Sequence, residues 1–151
     1  LEAAIAEAKR QGVAIATLQP EYNLMNRQIE AELMPVCVRE KVSLIPYYGL
    51  ASGYLTGKYR TEADKAKSVR GGRMDAYMQG KGPAVLAALD EVSARLGATQ
   101  AQVALAWIMA KPAIAAPIAS ATSADQVKDL MRALSLSLSA DDIAALDRAS
   151  A

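Results

Sequence analysis

Residues 13–48 read VAIATLQPEYNLMNRQIEAELMPVCVREKVSLIPYY, and this stretch decides the class of fold. It opens on a short apolar run, residues 13–18, rich in branched side chains and ended by Pro20, which predicts a buried parallel strand. Asn26 then stands where a helix cap is needed, before a helix predicted over residues 27–40. Ile29, Leu33, Val36 and Cys37 recur at helical spacing and form its inner face. Pro35 falls inside that helix and predicts a kink or a late break. Residues 42–48, VSLIPYY, predict a second strand. A strand, a helix and a further strand, joined by short connections, form a parallel βα unit.

The pattern extends on both sides. Residues 1–11 place Leu1, Ala4, Ile5 and Ala8 at helical spacing, and Gly12 stops the run. No cap precedes this helix, so the chain is expected to begin inside an element. Residues 49–82 hold seven of the nine glycines, are basic and lack periodicity. A connection that long is functional or disordered. Beyond it, Pro83 opens a helix that runs to Leu96 and is closed by Gly97. Thr99 caps the next helix, which halts before Pro112. Residues 114–118 predict a third strand. Ser123 caps a helix over residues 124–134, and Ser139 caps a last one with Ile143 and Leu146 on one face. The order is α-β-α-β-loop-α-α-β-α-α. Three parallel strands leave two unpaired edges, so the chain is expected to be part of a larger α/β fold.

Composition narrows the function. The chain has 151 residues, 17 basic against 16 acidic side chains, one cysteine, and neither histidine nor phenylalanine. About a fifth of it is alanine, which favours helix. A net charge of +1 argues against nucleic acid or a membrane surface as partner. No apolar run reaches the ~18 residues that a membrane span requires. Cys37 has no partner for an internal disulfide, which points to a reducing cytoplasm. Without histidine, no Ser-His-Asp or Cys-His catalysis and no His-ligated metal can be built from these residues.

Ligands of parallel α/β proteins bind beyond the carboxyl ends of the strands, and three places qualify. After the first strand come Gln19, Pro20, Glu21, Tyr22 and Asn23, where a side-chain amide can pair with a ligand amide or the residues simply form a turn. After the second come Tyr47 and Tyr48, small residues at 49–53, and Lys58. An aromatic face, approachable backbone and positive charge suit a ring and an anion, against the alternative of a solvated surface loop. After the third, Thr122 and Ser123 precede a helix whose N-terminus attracts anions, unless Ser123 is only a cap. Elsewhere, Asp141 and Asp142 are expected to serve the helix dipole, Trp107 the core, and Cys37 to be inert. Lys65, Lys67, Arg70 and Arg73 are expected to be solvated or to contact phosphate.

The segments QPEYNLMNRQIEAELMPVC, IPYYGLASGYLTGKY and ALAWIMAKPAIAAPIASATSADQV together resemble the aldo-keto reductases. The resemblance covers nearly the whole chain and matches the C-terminal half of that family. It implies a (β/α)8 barrel that binds NADPH in an extended pose across its carboxyl face, with the three strands here as strands six to eight. Gln19 then corresponds to the residue that holds the nicotinamide carboxamide, and Tyr47 to the aromatic that stacks on the nicotinamide. Tyr48, Leu50, Ala51 and Ser52 correspond to the pyrophosphate loop. Lys58 and Arg70, the latter within SVRGGR, correspond to phosphate and cofactor-covering contacts. Thr122, Gln126 and Asp129 fall at the 2′-phosphate and adenine end.

The sequence departs from the family at several points. Its usual YSP is YYG here, its usual glycine is Ser120, and an adenine-contacting asparagine is Leu130. No arginine stands at Thr122, so preference for NADP over NAD rests on the family, with Lys58 and Arg70 as compensating charges. The catalytic aspartate, tyrosine, lysine and histidine of the family lie upstream of the matching region. The expected function is NADP-dependent reduction of aldehydes or ketones, with this chain as the cofactor-binding part and an N-terminal half-barrel supplying the chemistry. The alternative is a non-catalytic half-barrel that binds dinucleotide or self-associates. A purely structural partner, like the reductase-like β subunits of ion channels, is the third expectation.

Overall fold

The computed structural model describes residues 1–67, 72 and 74–151. Helix α1 (Glu2–Arg10) buries Ile5 and ends where Gly12 turns left-handed (φ 73°). Strand β1 (Thr17–Leu18) follows, then a 3-10 turn at Gln28–Glu30 and helix α2 (Leu33–Glu40). The continuous helix expected over residues 27–40 is therefore divided. Pro35 explains the division, because it sits in the first turn of α2, where a backbone N–H has no partner to lose.

Strand β2 (Ser43–Leu44) pairs in parallel with β1, Thr17 opposite Ser43 and Leu18 opposite Leu44. The ladder continues past both: the Ile45 amide donates to the Leu18 carbonyl (2.9 Å) and the Tyr47 amide to that of Pro20 (3.0 Å). The third predicted strand lies along the other side of β2 as an extended segment with one bridge, Leu44 to Ile114. Its Ala115 amide donates to Leu44 (2.9 Å) and its Ile118 amide to Pro46 (2.8 Å). Both strands, and the third segment, are shorter than their apolar runs. Pro20 has no N–H to give between β1 and β2, and Pro46 and Pro117 none between β2 and the third segment, while β1 has no strand on its far side among the described residues.

Residues 49–82 are not structureless. They form 3-10 turns at Ala51–Thr56 and Glu62–Lys67 and a short helix, α3 (Asp75–Met78). Four further helices follow: α4 (Gly82–Leu96), α5 (Gln100–Met109), α6 (Ala124–Met131) and α7 (Ala140–Ala149). The expected punctuation is present. Pro83 lies in the first turn of α4, Gly97 closes it left-handed, and Ser123 caps α6. Thr99 with Gln102 and Ser139 with Asp142 form reciprocal capping boxes for α5 and α7. Asp142, nearly buried, also pairs with Arg95 of α4, so it serves structure as expected. Helix α6 is one turn shorter than predicted and passes into a 3-10 turn at Arg132–Ser135.

The core sits around α5, which is buried on every side from Ala101 to Ile108. Val85, Leu86, Leu89 and Val92 of α4 and Leu146 of α7 pack with it, together with Leu44 of β2. The chain leaving β2 crosses α5 so closely that a Cβ at Gly49 would lie 3.1 Å from Ile108 Cδ1. This approach accounts for glycine at position 49 and fixes where the loop after β2 begins. Cys37 is buried and unpaired, and burial pushes its thiol up, away from reactivity.

Candidate functional site

The parallel register brings the ends of β1, β2 and the third extended segment to one edge. Gln19 and Pro20 leave β1 there, Tyr47 leaves β2 beside Glu21, and Ile118 runs alongside Pro46 toward Ser120 and Thr122. Gln19 is exposed, and its amide has no partner among the described residues. Tyr47 is 39% and Tyr48 48% exposed, large areas for aromatic side chains, and the two rings meet edge to face at 5.2 Å. Two exposed aromatic rings thus stand together at a strand end.

The turn after Tyr48 is strained. Tyr48 (φ 55°), Ala51 (φ 47°) and Ser52 (φ 58°) all lie in the left-handed region, followed by Gly53 (φ 97°). Side chains other than glycine are costly there, and such strain gathers where the backbone must present itself to a ligand. Ala51 is fully buried and Leu50 partly so, while Ser52 is partly exposed. Lys58 folds back over this turn: a Cβ on Gly53 would lie 3.6 Å from Lys58 Nζ. Its ammonium also lies over the Tyr59 ring, 4.9 Å from the centre. Positive charge and a small-residue turn are thus brought together, as chain spacing suggested.

Beyond the third segment, Gln126 Oε1 accepts from the Thr122 backbone amide (2.8 Å) and hydroxyl (3.1 Å). Ser123 accepts from the Gln126 amide at 3.2 Å, so this residue caps α6 while the loop before it stays exposed. Asp129 is committed to packing: its carboxylate accepts from Gln102 Nε2 (2.7 Å) and lies 3.5 Å from the Thr99 hydroxyl. Arg70 and Arg73 lie outside the described residues. Lys65 is paired with Glu62 and Asp75 and is not a free cation.

Sequence reasoning missed the groups that hold this edge. Asn23, which spacing presents only as a turn former, is fully buried and donates from Nδ2 to the Tyr48 carbonyl at 3.0 Å. Behind it lies a charged cluster. Tyr22 donates to Glu30 (2.5 Å), Arg27 clasps Glu30 through two bonds, and Lys111 and Trp107 both donate to Asp147. Arg27 and Lys111 lie 5.5 and 4.6 Å from the Trp107 ring centre, and Tyr22 stacks on that ring at 5.3 Å. Burial pushes the Glu30 and Asp147 carboxyls up, but the hydrogen bonds each accepts outweigh it and hold both below their ordinary range. No local periodicity announces this cluster, because its members come from distant loops and helix ends. A cavity of about 500 Å³ opens alongside, lined by Glu21, Met25, Arg27, Tyr77 and Lys81. Burial and the nearby Glu21 charge push the Tyr77 phenol up.

Parallel strands with exposed side chains at their carboxyl ends and packed helices behind define an α/β architecture. Residues 2–151 match the sequence pattern of the Aldo/keto reductase family, and the chain belongs to that family. It is 35% identical over 135 residues to Protein tas of Escherichia coli, covering 88% of this chain and 39% of that protein. It is 30% identical over 131 residues to an oxidoreductase of Bacillus subtilis, YrpG (86% and 39%). It is also 31% identical over 124 residues to a probable voltage-gated potassium channel subunit beta of Arabidopsis thaliana (77% and 37%). The chain thus spans about two fifths of the length of these curated relatives. Among the described residues, no helix is long and apolar enough to cross a membrane, and no cluster of residues could hold a metal ion.

Proposed function

We propose that this chain is the cofactor-binding part, strands six to eight, of a (β/α)8 oxidoreductase that uses NADP(H) to reduce aldehydes or ketones to alcohols. One observation carries the reading. An unpartnered amide at Gln19, an exposed ring at Tyr47 and the α6 N-terminus lie beyond the ends of β1, β2 and the extended segment bridged to β2. That order matches an extended dinucleotide with a carboxamide-bearing ring at one end and phosphates beyond it.

The donor set fits such a ligand. Gln19 has donor and acceptor for the carboxamide, and Tyr47 offers its face to the ring. Tyr48, Leu50, Ala51 and Ser52 form the turn beside the pyrophosphate, with Lys58 supplying charge and Arg70 a further contact. Thr122 and Gln126 stand at the α6 N-terminus for the 2′-phosphate, and Asp129 anchors that helix near the adenine end. When bound, NADPH supplies the hydride. No histidine is present and no tyrosine here is placed as the acid, so the proton donor comes from residues beyond these strands. The carbonyl substrate, an N-terminal half-barrel and the cytoplasm complete the proposal, the buried thiol of Cys37 fitting a reducing compartment.

Titration of the full-length protein with NADPH tests this directly. Micromolar binding that Gln19→Leu weakens about tenfold supports it; no binding refutes it. A second reading, dinucleotide binding without turnover, rests on the same lack of histidine and of a tyrosine matching the family's acid. NADPH binding with no oxidation of it by any aldehyde would select that reading. Exposed Val127, Met131 and Leu134 give self-association a surface, which sedimentation would reveal.

A further inference from the structure

Asn23 is a fully buried amide whose bonds join two strand ends. Its Oδ1 accepts from the backbone amides of Met25 (2.8 Å) and Asn26 (3.0 Å), folding the loop after β1. Its Nδ2 donates to the Tyr48 carbonyl (3.0 Å), the first link of the strained turn after β2. That same carbonyl accepts from the Ala51 amide at 2.7 Å, so Asn23 and the turn share one acceptor. The other hydrogen bonds described within residues 48–56 are local, such as Gly53 N to Leu50 O (2.8 Å) and Thr56 Oγ1 to Gly53 O (2.7 Å).

Packing of Gly49 on α5 and burial of Ala51 fix where the turn lies, but local bonds do not by themselves hold half-exposed Tyr48 in the left-handed region. A buried amide, by contrast, has no water to exchange its bond for, so it fixes the direction of the carbonyl it reaches. The Tyr48 carbonyl in turn sets where the Ala51 backbone and the turn after it point. We infer that Asn23 is a positioning residue that presets the dinucleotide turn through the Tyr48 carbonyl. This rests on the dinucleotide reading for what the turn is for, and on the geometry alone for Asn23's hold on it. A preset turn binds more tightly, because ordering is complete before the ligand arrives.

The test uses the full-length protein, NADPH as probe, and two variants. Asn23→Ser keeps an oxygen for Met25 and Asn26 but is too short to reach Tyr48. Asn23→Asp keeps the shape and sets an oxygen against the Tyr48 carbonyl. About tenfold weaker NADPH binding is expected, with Ala51 and Gly53 amide exchange about tenfold faster and that of α4 and α5 unchanged. Unchanged exchange at Ala51 and Gly53 overturns the inference. So does acceleration spread evenly through α4 and α5, which would make Asn23 a packing residue only. If the wild type binds no NADPH, the dinucleotide reading falls while the exchange pattern still decides Asn23's hold on the turn. If neither variant folds, the wild type decides: slow exchange at Ala51 and Gly53 without NADPH supports a preset turn, and slowing only upon NADPH addition overturns it.

Discussion

The region around Trp107 and the edge at Tyr47 use the same residue types to opposite ends. Around Trp107, a buried ring is faced by Arg27, Lys111 and Tyr22, and its N–H is bonded to Asp147. At the edge, Tyr47 and Tyr48 are exposed, the Gln19 amide is unpartnered, and the backbone is strained. One region satisfies its polar groups internally and so contributes stability. The other leaves polar and aromatic groups exposed, and under the proposed function these serve a ligand. Substitutions in the two regions are therefore expected to separate in their readouts.

Trp107→Ala should show the largest effect, about 3–5 kcal/mol of stability by urea titration, from the cavity it leaves and the cations it uncovers. A loss below about 1 kcal/mol would place the ring outside the core. Asp147→Ala should cost about 2–3 kcal/mol, because Lys111 and the Trp107 N–H lose their acceptor. Acid should act through the same groups. Glu30 and Asp147 are held below their ordinary values of 4.5 and 3.8. The unfolded chain then binds more protons as pH falls, so their stabilisation is complete above those values and is lost through the lower folded ones. A urea midpoint that stays flat from about pH 6 down to about pH 3 would break this expectation.

At the edge the effects turn to binding. Gln19→Leu should leave stability within about 0.5 kcal/mol while weakening NADPH about tenfold. Thr122→Ala should be the smallest, about threefold on NADPH, since its hydroxyl also bonds Gln126 and the α6 N-terminus remains. If Gln19→Leu lowered stability as much as Asp147→Ala, the contrast between the two regions would disappear.

Much of the candidate site was legible because strand ends are legible. The apolar runs locate β1 and β2, and Gln19 and Tyr47 follow from where they stop. Lys58 over its turn was expected from its neighbours and is found there. Asp129 shows the limit: its place came from resemblance, while its carboxylate is bonded to Gln102 and Thr99. Spacing presents Asn23 as a turn former, which it is through Oδ1, but its bond from Nδ2 joins residues 25 apart and leaves no local trace.

Local sequence carries most helices outside residues 49–82, their punctuation and the family likeness. Gly97, Thr99, Ser123 and Ser139 act within a turn of where they stand, and periodicity needs only neighbours three or four residues away. What only the tertiary structure decided is how long each strand is, where α2 breaks free of the turn before it, and which side chains carry the edge. Strand length depends on a partner having an N–H to give, and Pro20, Pro46 and Pro117 do not. The Trp107–Asp147 and Arg27–Asp147 contacts join residues 40 and 120 positions apart. Such bonds form only once helices and loops have packed, so no window of sequence contains both ends of them.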